Sequence, residues 1–209
     1  MSCCRDLSGI GGSSPFVPPN TVVITSNSTY TSSPGVQYIE VYAIGGGGGG
    51  GGSNASRGGG GGGAACPSVG FYDPGVYAVT IGSAGTGGAA DTDGSNGSDT
   101  NFGAGLLISD RGVGGGSSLD ASIYGGESGT ADATAMYSLA RESGKPPAIA
   151  QGGCGGSCYF GTGGRSFLNT TTGVTGEDAT GFGAGGGGGS SGGSGGNGSA
   201  GAVIIIEHF

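Results

Sequence analysis

The chain has no tryptophan, a single histidine and only six lysines and arginines in 209 residues. The lone His208 removes most Ser-His-Asp, Cys-His and His-rich metal arrangements, and its position beside the C-terminus reads as a strand end. Six cations against fourteen acids give a net charge of −8, too few positive groups to neutralise phosphates, so nucleic acid is excluded as a partner. No stretch approaches the ~20 consecutive apolar residues of a membrane span, and no membrane insertion is expected. The start, Met1-Ser2-Cys3-Cys4-Arg5-Asp6, leads into Gly, Ser and Pro and not into the apolar core of a signal peptide, which reads as folding in a cytoplasm. Large apolar residues are scarce as well: Leu, Ile, Val and Phe make up 35 of the 209. That is below the ~20% at which disorder becomes a serious prior, but these residues come in short β-branched bursts and are not scattered.

Nucleotide-binding patterns fail in detail. Matches to G-x-G-x-x-G are plentiful, but none lies between a strand and a helix with an acidic residue ~20 positions on. Gly144-Lys145 is followed by Pro146, which breaks the phosphate-loop pattern. The segment 91–99 looks like a calcium loop through Asp91, Asp93 and Asp99. It misses the EF-hand pattern, because Asn96 holds the glycine place and Phe102 the bidentate glutamate place. No cofactor, metal or catalytic residue is assigned. The five cysteines are an odd number, for which reduced thiols are the default. Cys154 and Cys158 are the one candidate disulfide pair, at a spacing unlike C-x-x-C. Cys3 and Cys4, with Phe16, lie in a Pro- and Gly-rich stretch and are candidate contacts to a partner chain.

What the chain has is glycine: 58 residues, gathered in runs at 45–52, 58–63 and 185–189 and in clusters at 114–116, 152–156 and 163–164. Glycine loses more backbone freedom on folding than any other residue. Ordering so much of it requires a structure that needs bare backbone. Between 183 and 201 every third residue is glycine, and in a threefold extended helix rising ~3.1 Å per residue such positions fall on one edge. Bare edges let neighbouring helices approach until backbone N–H and C=O groups bond sideways. The runs at 45–52, 58–63 and 183–201 are therefore read as polyglycine type II helices packed side by side.

Strands are predicted at 21–25, 36–44, 76–81, 100–109 and 202–208 from β-branched runs bounded by turn residues. One helical stretch is predicted, at 131–142. The fold class is mainly β and irregular, with strands flanking a sandwich of polyglycine helices. Residues 1–19 form an attachment arm and 20–209 one glycine-rich domain.

The order of four pieces carries a resemblance. A strand ends in a glycine run (36–52), and Pro74-Gly75-Val76-Tyr77-Ala78-Val79-Thr80-Ile81-Gly82 follows. Then come Asp99-Thr100-Asn101-Phe102-Gly103 with Leu106, and a closing Gly201-Ala202-Val203-Ile204-Ile205-Ile206-Glu207 with Phe209. This resembles the glycine-rich domain of bacteriophage tail-fibre and receptor-binding proteins over about 20–209. The resemblance implies a virion surface protein, a fibre tip or adhesin that binds a bacterial surface glycan or outer-membrane protein without catalysis. It also implies assembly with other virion proteins, through residues 1–19, or as a homo-oligomer. A purely structural virion component, such as a fibre connector or capsid decoration protein, is the alternative. An ice-binding or matrix protein is a third, since stacked polyglycine helices present flat faces. Binding residues tend to lie on loops held by a rigid scaffold. The candidates for receptor contact are Asn54 and Arg57 at the break between the first two runs, and the paired aromatics Phe71, Tyr72, Tyr159 and Phe160.

Overall fold

The structure is a computed structural model that describes residues 17–54, 57–117, 125–149, 151–168 and 173–209. Of the arm 1–19, residues 1–16 with Cys3, Cys4 and Phe16 lie outside the described residues. Val17, Pro18 and Pro19 are exposed and lead directly into the first strand.

Every regular element among the described residues is a β-strand. One sheet runs in the order β1 (Asn20–Ile24), β11 (Ala202–His208), β3 (Tyr38–Ile44), β4 (Ser68–Tyr72) and β8 (Tyr137–Ser138), all antiparallel. The other runs β2 (Ser28–Thr31), β5 (Val76–Thr80), β6 (Thr100–Phe102) and β7 (Leu107–Ser109). A short pair, β9 (Gly161–Thr162) with β10 (Thr180–Gly181), completes the set. Alternation along the strands sends Ile39, Val41 and Ala43 of β3 and Val203 and Ile205 of β11 to one face. There they meet Tyr30, Val79, Phe102 and Leu107 of the second sheet in a buried core.

Two sequence expectations are corrected. The segment 131–142 is not helical: it supplies edge strand β8, whose pairing with β4 overrides its helix-forming Ala, Met and Leu. The single strand at 100–109 is a hairpin, β6 and β7, turned through Gly103, Ala104 and Gly105, all at positive φ.

The glycine runs continue from the ends of these strands. Segment 45–54 leaves β3 directly, and its amides turn to a new neighbour at every residue and return to the same one at every third. Gly46, Gly49 and Gly52 donate to the carbonyls of Ser98, Ser95 and Thr92; Gly47, Gly50 and Ser53 donate to Ser199, Gly196 and Gly193; Gly48, Gly51 and Asn54 donate to Gly63, Gly60 and Arg57. Its carbonyls do the same toward three other segments, accepting from Gly112 and Gly115, from Gly85 and Gly88, and from Gly186 and Gly189. One extended segment is thus bonded laterally to six neighbours with a repeat of three, the pattern that a bundle of threefold helices requires. Segments 57–65 and 183–190 are enclosed in the same way.

Direction follows from the register. Segments 45–54, 82–89, 111–117, 142–148, 163–168 and 183–190 run away from the sheets. Segments 57–65, 92–99, 125–129, 151–157, 173–179 and 193–201 run back. The frame 183–201 is consequently two segments and not one. It reverses at Ser191 (φ 48) and Gly192 (φ 90), a left-handed turn that glycine adopts without strain.

Enclosure explains where glycine is continuous. A Cβ built on Gly50 would lie 2.1 Å from the Gly187 carbonyl oxygen, and one on Gly186 would lie 2.1 Å from that of Gly196. The enclosed runs have no position free for a side chain. Outer segments have one open side, so in 82–88 Gly82, Gly85 and Gly88 are buried while Ser83 and Thr86 are exposed. Amides on the open side take side-chain acceptors: Ser83 and Thr86 N–H donate to Ser98 Oγ and Ser95 Oγ, each at 2.7 Å.

At the junction the bonding repeat changes from two to three, and buried hydroxyls bridge the change. Thr100 Oγ1 donates to the Ile44 carbonyl at 2.7 Å and accepts from Gly82 N–H at 2.8 Å. Ser109 Oγ donates to the Cys66 carbonyl at 2.6 Å and accepts from Gly45 N–H at 2.7 Å. In the sandwich, Glu207 is buried and accepts from Tyr30 Oη (2.7 Å), Asn20 Nδ2 (2.8 Å), and Ser33 N–H and Oγ (both 2.8 Å). Burial opposes its ionisation, but these hydrogen bonds outweigh burial and hold the carboxyl at about 2, below its ordinary 4.5.

Gly186→Val is expected to prevent folding, at a cost above ~4 kcal/mol, whereas Val113→Ala on the exposed side of 111–117 should melt within a few degrees of the parent by circular dichroism. Because the carboxyl is lowered on folding, Glu207 stabilises fully above pH 4.5, and that contribution is lost as pH falls toward 2. Melting temperature should drop across this window, and Glu207→Gln should flatten the drop while destabilising the protein at neutral pH.

Candidate functional site

The architecture separates two ends. Among the described residues, the outgoing segments run to, and the returning segments start from, the end away from the sheets, and the turns described there in full are 89–92 and 190–193. At ~3.1 Å per residue the nine residues of 45–53 carry that end about 28 Å beyond β3. The chain enters β1 at Asn20 opposite Glu207, at the other extreme of the molecule.

Asn54 and Arg57 belong to the distal end. Arg57 N–H donates to Asn54 Oδ1 at 2.9 Å and Asn54 N–H to the Arg57 carbonyl at 3.2 Å, which closes a tight reversal and leaves Arg57 exposed. At the same end stand Ile149, bridged to Arg57 and 87% exposed, and Leu168, bridged to Gln151 and 67% exposed. Neither is a candidate on sequence alone, where Ile149 lies between Ala148 and Ala150 and Leu168 follows Phe167.

The four aromatic candidates lie elsewhere. Tyr72 is half-buried, packs on Phe102 and Tyr77, and donates from Oη to the Leu106 carbonyl at 3.0 Å. Burial raises its phenol above the usual range. It is part of the sandwich core and closes over the β6–β7 hairpin. Phe71 points to the other side of β4, exposed, with its ring centroid 6.3 Å from Tyr38. Tyr38 in turn stacks on His208 at 4.3 Å, and His208 ends β11.

Tyr159 and Phe160 flank a cleft on the outer face of the five-stranded sheet. Its floor is Tyr42, Ile204 and Ile206, and its walls are Tyr137, Leu139, Tyr159 and Phe160, around a volume of about 330 Å³. Phe160 meets Tyr42 edge-on at 5.8 Å and Tyr159 edge-on at 5.0 Å. Glu40, on the same face of β3, accepts from Tyr42 Oη at 2.6 Å and from Tyr137 Oη at 3.4 Å through one carboxylate oxygen. His208 Nε2 lies 3.7 Å from the other oxygen. The bond to Glu40, followed by burial, pushes the Tyr42 phenol well above its ordinary range. The six candidates therefore do not converge on one surface: Asn54 and Arg57 are distal, while Phe71, Tyr159 and Phe160 flank the sheet. Tyr42 and Glu40 were missed, although the alternation Tyr38, Glu40, Tyr42 against Ile39, Val41, Ala43 marks them as facing outward.

The calcium-like segment is a side-chain ladder. Asp93, Asn96 and Asp99, three apart, accept from the amides of Ser117, Gly114 and Arg111 on the antiparallel segment beside them. Asp99 also pairs with the Arg111 guanidinium at 3.3 Å. Threefold spacing spreads the oxygens along a helix edge instead of gathering them, and no metal-holding cluster occurs among the described residues. Cys154 and Cys158 are unbonded thiols. Cys154 Sγ lies 3.4 Å from Ser166 Oγ, and Cys158 Sγ donates to the Phe182 carbonyl at 3.1 Å. Four steps of ~3.1 Å separate them by about 12 Å in an extended segment, well beyond disulfide reach.

Residues 21–206 match the family model of a glycine-rich domain. No curated protein matches the chain.

Tyr72→Ala is expected to cost roughly 2–3 kcal/mol in urea unfolding, as a half-buried aromatic packed on the core does. Tyr159→Ala, at a site 71% exposed, should stay within about 0.5 kcal/mol of the parent.

Proposed function

The chain belongs to the glycine-rich domain family, and from that premise we propose that it is a virion surface protein, a phage tail-fibre tip that binds a bacterial surface receptor without catalysis. The observation that carries this reading is that the outgoing segments all lead away from the sheets to one end, while β1 begins at the other. A rigid body with its segment ends at one extreme and its tether at the other suits recognition far from the attachment point. The enclosed glycine runs supply the rigidity, since they have no rotamers to change and every lateral bond restrains its neighbours. In this reading residues 1–19 hold the protein to other virion components. The distal residues, with Asn54, Arg57, Ile149 and Leu168 among them, meet a host glycan or outer-membrane protein.

The structural alternative, a fibre connector or decoration subunit, is favoured by one feature. The outer face of the five-stranded sheet leaves Val23, Tyr38, Phe71 and Tyr137 exposed, an apolar area that a neighbouring subunit would cover.

Adsorption of the purified protein to candidate host cells separates these readings. Ile149→Asp with Leu168→Asp should reduce adsorption tenfold or more while the melting curve is unchanged. Loss instead on Tyr159→Ala with Phe160→Ala moves the receptor surface to the side of the sheet. If the parent protein does not adsorb yet still binds other virion components, the structural reading stands in its place.

A further inference from the structure

We propose that the cleft on the outer face of the sheet is an aromatic cage for a quaternary ammonium group of the choline type. Three features of the cleft point to that chemistry.

The first is its walls. Four rings line it, Tyr42, Tyr137, Tyr159 and Phe160, and the edge-on contacts of Phe160 with Tyr42 and Tyr159 set adjacent rings at 79° and 78°. Rings standing at right angles present π-faces in different directions around one space. A cation held there is attracted by the negative face of each ring it meets.

The second is charge. No lysine or arginine lines the cleft, and Glu40 stands at its edge, bonded to the hydroxyls of two of the four rings. A phenol that donates to a carboxylate carries more negative charge in its ring, which strengthens its pull on a cation. The carboxylate adds direct attraction.

The third is the floor. Ile204 and Ile206 are aliphatic and offer no acceptor for an N–H bond. A primary ammonium seated over these isoleucines would lose water and gain no hydrogen bond from them. A trimethylammonium carries its charge beneath a shell of methyl groups, which pack on isoleucine and on ring faces alike. The volume of about 330 Å³ holds such a group together with the chain that bears it.

The cleft is separate from the distal turns, so this inference holds or fails independently of the receptor reading. The test is titration of the full chain with choline chloride, with its neutral isostere 3,3-dimethylbutan-1-ol and with methylammonium chloride, followed by the NMR methyl shifts of Ile204 and Ile206. Choline should bind at least about tenfold more tightly than the isostere, as a desolvated cation–π contact provides, and more tightly than methylammonium. Tyr159→Ala, at an exposed position, should weaken choline about tenfold with no change in melting temperature. Glu40→Gln keeps an acceptor for the two phenols and should weaken choline but not the isostere. Equal affinity for choline and its isostere would reduce the cleft to an apolar depression, and preference for methylammonium would overturn the quaternary assignment. Absence of any shift at Ile204 and Ile206 would overturn the site.

Discussion

Lateral hydrogen bonding between bare backbones is the constraint on which the rest of the structure depends. A segment such as 45–54 has no side chains with which to bury apolar area, so hydrophobic burial does not hold it. It is held because every amide and every carbonyl from Gly46 to Gly51 finds a partner on one of six neighbours, and leaving any one unmet inside the bundle costs free energy. The bonds form only at a spacing that excludes a Cβ. Glycine is thus the condition for the bonding and not a consequence of flexibility. Enclosed segments need it almost throughout, with alanine at 64, 65 and 184 close to the sheets, outer segments need it where they face inward, and many of the remaining positions are Ser, Thr, Asn or Asp. Several of these satisfy the outermost amides, and the acidic balance of the chain follows in part from that task.

The sandwich supplies what the bundle lacks. Its core of Ile39, Val41, Val203, Ile205, Phe102 and Leu107 is ordinary hydrophobic packing, and its strands together with the β9–β10 pair feed six outgoing segments and receive six returning ones. The buried Thr100 and Ser109 hydroxyls sit where a repeat of two must become a repeat of three. Order therefore passes from a conventional core into a region that could not nucleate a core of its own.

Much of this was legible in the sequence. The strand 202–208 and the passage from 36–44 into glycine are plain from β-branching followed by an abrupt change of composition. The central runs announce themselves by length. The reversal inside 183–201 was hidden because the glycine at every third place continues in frame through Ser191 and Gly192. The segment 131–142 misled because local propensity favours helix while the free edge of β4 offers a stronger partner. Asp93, Asn96 and Asp99 have the composition of a calcium loop, and only the threefold repeat reveals that they point along a ladder. Of the contact candidates, Tyr72 is indistinguishable from Phe71 in sequence, since one step along a strand decides between core and surface. The partners of Tyr159 and Phe160 come from β3 and β11, more than a hundred residues away on one side and more than forty on the other, and only the folded chain brings them together.

The central claim is the threefold rotation of hydrogen-bond partners along the enclosed runs. Scalar couplings across hydrogen bonds, from amide nitrogen to acceptor carbonyl carbon in selectively labelled protein, identify those partners one by one. Gly46, Gly47 and Gly48 should couple in turn to Ser98, Ser199 and Gly63, and Gly49, Gly50 and Gly51 should repeat the cycle with Ser95, Gly196 and Gly60. Couplings that alternate with a repeat of two along one neighbour, or amides that show none and exchange freely with solvent, would contradict it.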